Sequence, residues 1–387
     1  MRAEPTELVL IANSARALAE SAVRGGYGVR VLDAFCDEDT RALAPCIRIG
    51  MLGQGLDPEH LTAEIARLPL LDQGAGIVFG AGLEASPSVL SGLTGTLRLF
   101  GNDPEVLALV GTPKAFFALL DDLEVDYPES RWDPPDADDP MPWLIKMPGG
   151  CGGLGVRPWR VGDRPPGDPH YFQRFLAGRL MSLLFIADGE ILAVIGYNRL
   201  LVESSDPDLP FLYGGAITQT APDEAARSSI ERAAATLVGA LGLRGVNNLD
   251  FILHDGRPFL LELNPRPSAT LALYEGSCEG GWIGHHIRAC LGTLPDVAPG
   301  SGIDVSGQQV IYAPHDLRIP SGLCWPDWCR DRPVAGSQVD RGAPLCTVMA
   351  SGPSDAEVEV QLSLRSCDIL ARIGNTQEAD TGSELAT

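Results

Sequence analysis

An acidic, proline-rich segment at residues 131–142 separates two parts of the chain whose hydrophobic patterns differ. Before it, short apolar runs alternate with segments of helical spacing, beginning with the run Glu7–Ala12, a helical segment at 15–24 and the run at 29–32. Parallel strands need crossover helices, so this alternation predicts a doubly wound domain over residues 1–100. After the segment, successive strands replace the alternation, which predicts an α+β fold with a mainly antiparallel sheet.

These patterns predict an α/β and α+β chain that divides into successive parts. The parts are a Rossmann-like domain (1–100), a core (101–298), a small C-terminal lobe (299–374) and a flexible polar tail (375–387). Within the core we expect a hairpin subdomain over about 113–180 and a second subdomain over about 181–298. The length of 387 residues agrees with this division, because domains of about 150 residues are typical.

The charge of the chain argues against two classes of partner. The 29 basic and 51 acidic residues give a formal net charge of −22, whereas nucleic acid and anionic membranes select for basic surfaces. No apolar run approaches the roughly 20 residues of a membrane span. The N-terminus also lacks the basic residues and the long apolar core of a signal peptide. We therefore expect a cytoplasmic protein that binds neither nucleic acid nor membrane.

The nine cysteines are scattered along the chain, and no Cys-x-x-Cys pair occurs among them. Structural zinc sites use closely spaced cysteine pairs, so this spacing argues against zinc. An odd number of dispersed cysteines in a cytoplasmic protein predicts reduced, mostly buried thiols.

Glycine-rich turns are where a backbone can approach a phosphate. Residues 13–15, after the first predicted strand, read Asn-Ser-Ala, so a dinucleotide site is not supported at that turn. A Gly-x-Gly-x-x-Gly pattern does occur at Gly150, Gly152 and Gly155, next to Gly153, but prolines and glycines follow it instead of a helix. We therefore predict a hairpin that joins two strands, and such a loop can fold over a polyphosphate and donate backbone N–H groups.

The chain contains two lysines, and both lie beside features that suit an anion. Lys146 lies on the strand that precedes the glycine-rich loop. Lys114 lies at a predicted helix start, directly after Thr112 and Pro113. A lysine is a compact positive charge that can reach phosphates. We predict phosphate contacts for both, and the alternative for each is a solvated surface side chain.

Two apolar strands flank Asp255 and Gly256, a dipeptide typical of hairpin turns. The register decides which carboxylates meet. A two-residue turn would place Asp250 and Glu262 on opposite faces. A three-residue loop would pair them, with Cβ atoms roughly 4.5–5.5 Å apart, and we expect this loop. Asn264 would then share their face, because side chains alternate along a strand.

Two carboxylates and an amide oxygen at this spacing suit one or two Mg²⁺ ions that bridge phosphate oxygens. Burying both carboxylates without a metal would be costly, so the alternative is that one of them points into solvent. Arg266 follows in the stiff sequence Asn-Pro-Arg-Pro, near the same face. An arginine there can stabilise charge in a phosphoryl or acyl transition state. Its alternative role is a structural salt bridge to Glu262.

The order of these features resembles the ATP-grasp superfamily over residues 5–290, and the part after residue 300 resembles the small C-terminal lobe of its biotin-carboxylase-like branch. The most specific feature is the spacing from Asp250 to Glu262, followed by x-Asn-x-Arg. Relatives include biotin carboxylase, D-alanine–D-alanine ligase and the amino-acid ligases. The segments at 15–20 and 331–333 are also similar to ATP-grasp ligases of one-carbon cofactor biosynthesis, such as tyramine–glutamate ligase.

The resemblance implies that two lobes grip ATP and that the loop glycines and both lysines contact its phosphates. Asp250, Glu262 and Asn264 would hold Mg²⁺ or Mn²⁺. The adenine would be read by backbone groups of a hinge formed by Gln173, Arg174, Phe175 and Leu176. The family often has a glutamate near Gln173, so the glutamine puts the role of that side chain in doubt.

The resemblance also implies a carboxylate–amine ligase of cofactor or small-metabolite biosynthesis. A carboxylate would take the γ-phosphoryl group, and an amine would attack the acylphosphate to give an amide, ADP and phosphate. Arg266 would stabilise the acylphosphate and tetrahedral intermediates, and Lys146 would be a second catalytic residue. Arg199 would clamp the substrate carboxylate, unless it is a surface arginine. His285 and His286, in a predicted helix, are more typical of packing.

Two other functions stay open. One is a carboxylase-type enzyme that phosphorylates bicarbonate, which would need a separate partner to carry biotin. The other is an ATP-binding regulatory protein with a vestigial site, although the lysines, carboxylates and Arg266 argue against it. A homodimer is an expectation that comes from the family alone.

Overall fold

The computed structural model describes residues 4–68, 75–93, 97–136, 138–150, 152–160, 162–165, 167, 169–203, 205–218, 221–296 and 304–384, with side chains to residue 374. Three sheets carry most of the fold. They are a parallel sheet of five strands, an antiparallel sheet of four strands and an antiparallel sheet of eight strands.

The N-terminal domain is a doubly wound α/β unit, as predicted. Its elements are β1 (Glu7–Ala12), α1 (Arg16–Arg24), β2 (Gly28–Asp33), α2 (Glu38–Leu43), β3 (Cys46–Arg48), β4 (Met51–Leu52), β5 (Gly55–Leu56), α3 (Pro58–Arg67), β6 (Gly76–Phe79), α4 (Pro87–Leu93) and β7 (Arg98–Leu99). The sheet order is β3-β2-β1-β6-β7, and its pairings are parallel. β1 reads as a continuous apolar run because both of its faces are buried: Leu8 and Leu10 pack in one hydrophobic cluster, and Val9 and Ile11 pack in another.

Two cysteines of this domain form a disulfide, between Cys36 and Cys46, so the prediction of reduced thiols is wrong for this pair. Cys36 lies just after β2 and Cys46 begins β3, and the parallel pairing of these strands brings the two Cα atoms to 5.9 Å. That distance suits a disulfide. The other cysteines of the described residues carry free thiols.

Two helices lead into a small antiparallel sheet. The elements are α5 (Pro104–Val110), α6 (Pro113–Asp122), β8 (Ser130–Arg131), β9 (Trp143–Lys146), β10 (Val156–Trp159) and β11 (Tyr171–Arg174). The sheet order is β10-β9-β11-β8, and β9 pairs with β10 as a hairpin. The glycine-rich segment therefore joins two strands, as predicted, and does not open a helix.

The central sheet has the order β16-β15-β12-β13-β14-β17-β21-β19. Its elements and their neighbours are β12 (Arg179–Asp188), β13 (Leu192–Glu203), β14 (Leu212–Thr218), α7 (Glu224–Leu241), β15 (Arg244–His254), β16 (Arg257–Asn264), a 3₁₀ helix (Ala269–Ser277), α8 (Trp282–Cys290), β17 (Val305–Tyr312), β18 (Leu317–Arg318), β19 (Cys329–Arg330), β20 (Gln338–Val339), β21 (Pro344–Gly352) and α9 (Asp355–Glu384). Side chains of β12 alternate between two cores: Leu183 and Phe185 pack with α7, and Leu184 and Ile186 pack with α8.

The C-terminal region extends the central sheet. β17 pairs with β14, and β21 and β19 follow it outward. α9 continues to Glu384, so the tail that we expected to be flexible from residue 375 is helical in its described backbone. Its glutamine, glutamate and alanine residues favour a helix, and no proline interrupts them. Within the described part of the chain, no helix combines the length and the apolar character of a membrane span.

His286 on α8 has a structural role, as its sequence context predicted. Its Nδ1 accepts a hydrogen bond of 2.9 Å from the Val246 N–H, which leaves Nε2 to donate to the Phe100 carbonyl at 3.0 Å. Burial lowers the pKa of His286 to about 4. The imidazole therefore stays neutral and ties α8 to the strand β15.

Candidate functional site

The strands β15 and β16 bring two carboxylates together. Asp250 pairs directly with Glu262, as predicted, but the three-residue loop is wrong, because His254 pairs with Arg257 across a two-residue turn. Asp255 and Gly256 fill that turn with φ angles of 49° and 77°, which suits an Asp-Gly hairpin. A β-bulge beside Asp250 adds one residue to β16 and restores the register that the shorter turn would have lost.

Amide side chains hold the Asp250 carboxylate from both sides. Asn248 Nδ2 donates to its Oδ1 at 2.7 Å, and Asn264 Nδ2 donates to its Oδ2 at 3.2 Å. Asn248 and Asn264 also pair with each other across the two strands, two residues away from the Asp250–Glu262 pair and on the same face of the sheet. Asn248 was not identified from the sequence, although its position two residues before Asp250, on the same face of the strand, is a signal for it.

The carboxylate pair has strongly perturbed proton affinities. Glu262 is exposed at the cleft and Asp250 is half-buried, and the protein atoms around them weaken the solvation of both carboxylates. This desolvation raises the pKa of Asp250 to about 6, although its hydrogen bonds with Asn248 and Asn264 lower the pKa and offset part of the effect. Desolvation and repulsion by Asp250 raise the pKa of Glu262 to about 7. The two groups therefore repel each other, and a cation would relieve that repulsion.

Lys146 faces this pair from the small sheet. It ends β9, between Val156 of β10 and Tyr171 of β11. Desolvation lowers the pKa of Lys146 to about 8, and attraction to Glu262 and Asp250 offsets part of that effect. The prediction that this lysine lies beside the glycine-rich loop agrees with its position in the same cleft.

The glycine-rich hairpin covers the cleft. The Gly152 carbonyl accepts a hydrogen bond of 2.9 Å from the Tyr213 N–H, at the start of β14. A Cβ at Gly153, where φ is 77°, would overlap the carbonyl oxygen of Phe211. Glycine is therefore required at this point, because the hairpin approaches the central sheet through its backbone.

The cleft is lined by side chains of two kinds. The charged and polar ones are Lys146, Glu262, Asn264 and Glu84. The apolar and aromatic ones are Leu107, Val110, Phe116, Phe117, Tyr171 and Leu261. The bulge residue Leu261 therefore contributes to the cleft as well as to the register. A cleft with both kinds of lining suits a ligand that joins an anionic group to a flat apolar one.

Arg266 lies behind the lining residue Asn264, and 9% of its side chain is exposed. Its Nε lies 2.7 Å from Oε1 of Glu84, and its Nη2 donates to Oδ1 of Asn264 at 2.9 Å. The salt bridge to Glu262, which was the alternative from the sequence, is replaced in the structure by this one to Glu84. Glu84 was not identified from the sequence.

Several predicted site residues have other contacts. Lys114 is exposed, with its Nζ 5.3 Å from the ring centroid of Trp132, and it does not line the described cleft. Arg199 pairs with Glu359 of α9 at 2.7 Å, away from the carboxylates. Three of the four residues of the predicted hinge contact residues in or next to the small sheet. The buried Gln173 donates a hydrogen bond to Ser130 at 3.1 Å, and Arg174 forms an ion pair with Glu129 at 2.6 Å. The Phe175 N–H donates to the Pro142 carbonyl at 2.9 Å, and Leu176 is half-buried.

A comparison with protein families assigns the central part of this architecture. Residues 114–270 match the family described as the ATP-grasp domain. The chain contains an ATP-grasp domain. The matched segment carries both lysines, the glycine-rich hairpin and the carboxylate hairpin, so these features fall within the ATP-grasp domain, whereas Glu84 lies before it.

Solved structures share the ATP-grasp fold across nearly the whole chain. L-amino acid ligase from Bacillus licheniformis has a TM-score of 0.69 at 16% identity, over 95% of this chain and 98% of that chain. The biotin carboxylase domain dimer of Hydrogenobacter thermophilus 2-oxoglutarate carboxylase, in complex with MgADP, ADP and bicarbonate, has a TM-score of 0.68 at 12% identity, over 91% and 87%. Rhizobium etli pyruvate carboxylase has a TM-score of 0.71 at 15% identity. The match covers 93% of this chain but only 37% of that one.

The carboxylate hairpin of this ATP-grasp domain fits a hard divalent cation. Asp250 and Glu262 supply charged oxygens, and the buried Oδ1 of Asn248 lacks a partner among the described residues. Asn264 turns its amide nitrogen toward Asp250, so its oxygen would face a cation there only after the amide rotates. No three His, Cys, Asp or Glu side chains of the described residues form a metal site, so phosphate or water oxygens would complete the coordination.

Proposed function

We propose that the protein is an ATP- and Mg²⁺-dependent ligase that joins a carboxylate to an amine through an acylphosphate and releases ADP and phosphate. The observation that supports this most is that Lys146, Glu262 and Asn264 line one cleft beneath a glycine-rich hairpin, with Asp250 paired to Glu262 and Arg266 bonded to Asn264. Phosphoryl transfer depends on positive groups that are fixed in place before the reaction, and this cleft supplies them.

Each residue has a distinct role in this proposal. Lys146 and the hairpin N–H groups bind the phosphates of ATP, while the apolar side chains of the cleft contact the base. Asp250 and Glu262 would hold Mg²⁺, which would neutralise charge on the phosphate oxygens. Asn264 stays a predicted ligand, because its Oδ1 accepts from Arg266 and would have to leave that contact to reach the metal. Arg266 stabilises the negative charge that develops on the acylphosphate and on the tetrahedral intermediate. A carboxylate needs this activation because its oxygen is otherwise a poor leaving group.

The remaining assignments stay predictions. Lys114 would have to leave Trp132 to reach a phosphate, and Arg199 would have to leave Glu359 to bind a substrate carboxylate. The hinge at 173–176, the cytoplasmic location, the homodimer and the likeness to tyramine–glutamate ligase are likewise untested. The names of the two carboxylases among the solved structures support the alternative in which bicarbonate is phosphorylated.

An ADP-release assay with the purified protein tests the proposal. ATP and Mg²⁺ are supplied with a matrix of carboxylates and amines, and a Glu262→Ala variant serves as the blank. We expect ADP release that requires both a carboxylate and an amine. Release with bicarbonate and without any amine would support the carboxylase reaction instead. If no combination exceeds the Glu262→Ala rate, the ligase proposal is wrong.

The tight docking of the glycine-rich hairpin leads to a second prediction. Gly153→Ala should raise the KM for ATP by about 10-fold or more, because the added methyl group overlaps Phe211 and moves the hairpin. Gly162→Ala is a matched control: its φ is 94°, but no atom lies within 4 Å of the added Cβ. Equal effects of the two variants would show that backbone strain, and not docking, is responsible.

A further inference from the structure

Glu84 is a carboxylate of the cleft that the ligase proposal leaves without a role. It lies in the turn that follows β6, so it belongs to the N-terminal domain, whereas its partner Arg266 follows β16. Only 19% of its side chain is exposed, and its Oε1 lies 2.7 Å from the Nε of Arg266. The contact spans 182 residues of sequence.

The turn that carries Glu84 is fixed by the ends of two strands. Oε2 of Glu84 accepts a hydrogen bond of 2.6 Å from the Gly82 N–H. The Gly82 carbonyl accepts from Leu56 at 2.9 Å, and the Ala81 carbonyl accepts from Asn13 at 2.7 Å. Gly82 has a φ of 115°, and a Cβ there would overlap the Asn13 side chain. The Glu84 carboxylate is therefore held in one place by the backbone.

Two nitrogens of the Arg266 guanidinium group have acceptors on different residues. Glu84 holds Nε, and Oδ1 of Asn264 accepts from Nη2 at 2.9 Å. Asn264 in turn contacts Asp250. Because a guanidinium is planar, two contacts at different nitrogens fix the plane of the group and the direction of its other N–H bonds.

Stability alone gives a poor account of this ion pair. Removing an arginine and a glutamate from water costs about as much as their attraction returns, so such a pair adds little net stability. A second ion pair, between Arg16 Nε and Asp331 at 2.8 Å, also links the N-terminal domain to the C-terminal region, but it lies outside the cleft. The distinctive property of Glu84 is that its partner Arg266 lies beside the Asp250–Glu262 pair, where its charge acts to lower the pKa of both carboxyl groups.

We propose that Glu84 is a positioning residue, which sets the orientation of Arg266 toward the acylphosphate and so makes the N-terminal domain part of the catalytic apparatus. The inference rests on the proposed ligase function. It assigns Glu84 an effect on the transition state and little effect on ATP binding, because Arg266 stabilises charge that develops only during the reaction.

The test compares Glu84→Gln, Arg266→Ala and the double variant in the ADP-release assay. Glu84→Gln keeps the size of the side chain and removes its charge. We expect kcat to fall about 10²-fold while the KM for ATP changes less than about 3-fold. The double variant should be no slower than Arg266→Ala alone, since Glu84 acts through Arg266. Asp331→Asn is the control, because it removes a domain-bridging ion pair without touching the cleft; it should lower the melting temperature and keep kcat.

The alternatives give different results. If Glu84 only joins the domains, Glu84→Gln will resemble Asp331→Asn, or its effect on kcat will multiply with that of Arg266→Ala, and the inference is overturned. If Glu84→Gln does not fold, Arg266→Lys serves instead: it keeps a charge but cannot bridge Glu84 and Asn264, so the same selective loss of kcat is expected. A wild-type protein that releases no ADP overturns the ligase proposal itself and this inference with it.

Discussion

A Glu262→Gln variant is expected to lose ATP turnover by about 10³-fold while its melting temperature at pH 8 stays the same or rises. The loss of activity follows because the variant keeps the shape of the side chain but removes one of the two charged oxygens that face a cation. Asp250 remains, so the metal–nucleotide complex can still bind. Its binding is weaker, because one of the two carboxylate charges that face the cation is gone.

The stability result follows from the raised pKa of Glu262, at about 7. A carboxyl group with a raised pKa binds its proton more tightly in the folded protein than in the unfolded chain. Folding therefore becomes less favourable as the pH rises from about 4.5, the ordinary value, through about 7. Glutamine has no charge to desolvate, so the advantage of the variant should be present at pH 8 and shrink toward pH 5. The lost attraction to Lys146 offsets part of it.

Thermal denaturation at pH 5 and pH 8, combined with the ADP-release assay, measures both effects. Asp368→Asn is the control, because Asp368 also pairs with a cationic side chain, Arg372 at 2.7 Å, but lies on α9, outside the cleft. It should leave turnover unchanged. A steep fall in the melting temperature of Glu262→Gln at both pH values would show that Glu262 is a structural residue, and retained turnover would remove it from the metal site.

Local patterning predicted much of this arrangement. Alternation of strands and helices predicted the N-terminal domain, because parallel strands impose crossover helices. Prolines after the glycine-rich loop excluded a helix there, and the loop does join β9 to β10. The period of two along a strand placed Asn264 with Glu262. Such signals are carried by neighbouring residues, so a single sequence can reveal them.

Other features depend on packing between distant segments. The bulge at Leu261 changes the register of β16, and no local signal marks it; the correct pairing of Asp250 with Glu262 was reached through the wrong turn. Cys36 meets Cys46 only through the pairing of β2 with β3. Glu84 meets Arg266 only when the N-terminal domain packs on the central sheet. Each contact is set by the tertiary fold, which periodicity does not encode.

Lys146→Ala is expected to lower kcat/KM for ATP by about 10²- to 10³-fold, since it removes the cation that the proposed function assigns to the phosphates. Lys114→Ala is the matched control, because Lys114 is the only other lysine of the chain and its Nζ lies over Trp132. A much smaller effect of Lys114→Ala would assign the phosphate contact to Lys146. Equal losses of kcat/KM in the two variants would show that Lys114 also contributes to the site.

The pH dependence distinguishes a charge effect of Lys146 from a packing effect. Its pKa of about 8 means that the free enzyme loses this ammonium charge as the pH rises through about 8. The wild-type kcat/KM should therefore fall above pH 8, after rising between about pH 6 and pH 7 as Asp250 and Glu262 ionise. Lys146→Arg keeps its charge over this range, because a guanidinium does not deprotonate there. Its activity should be lower but should not fall above pH 8, and an identical fall in both proteins would show that another group titrates.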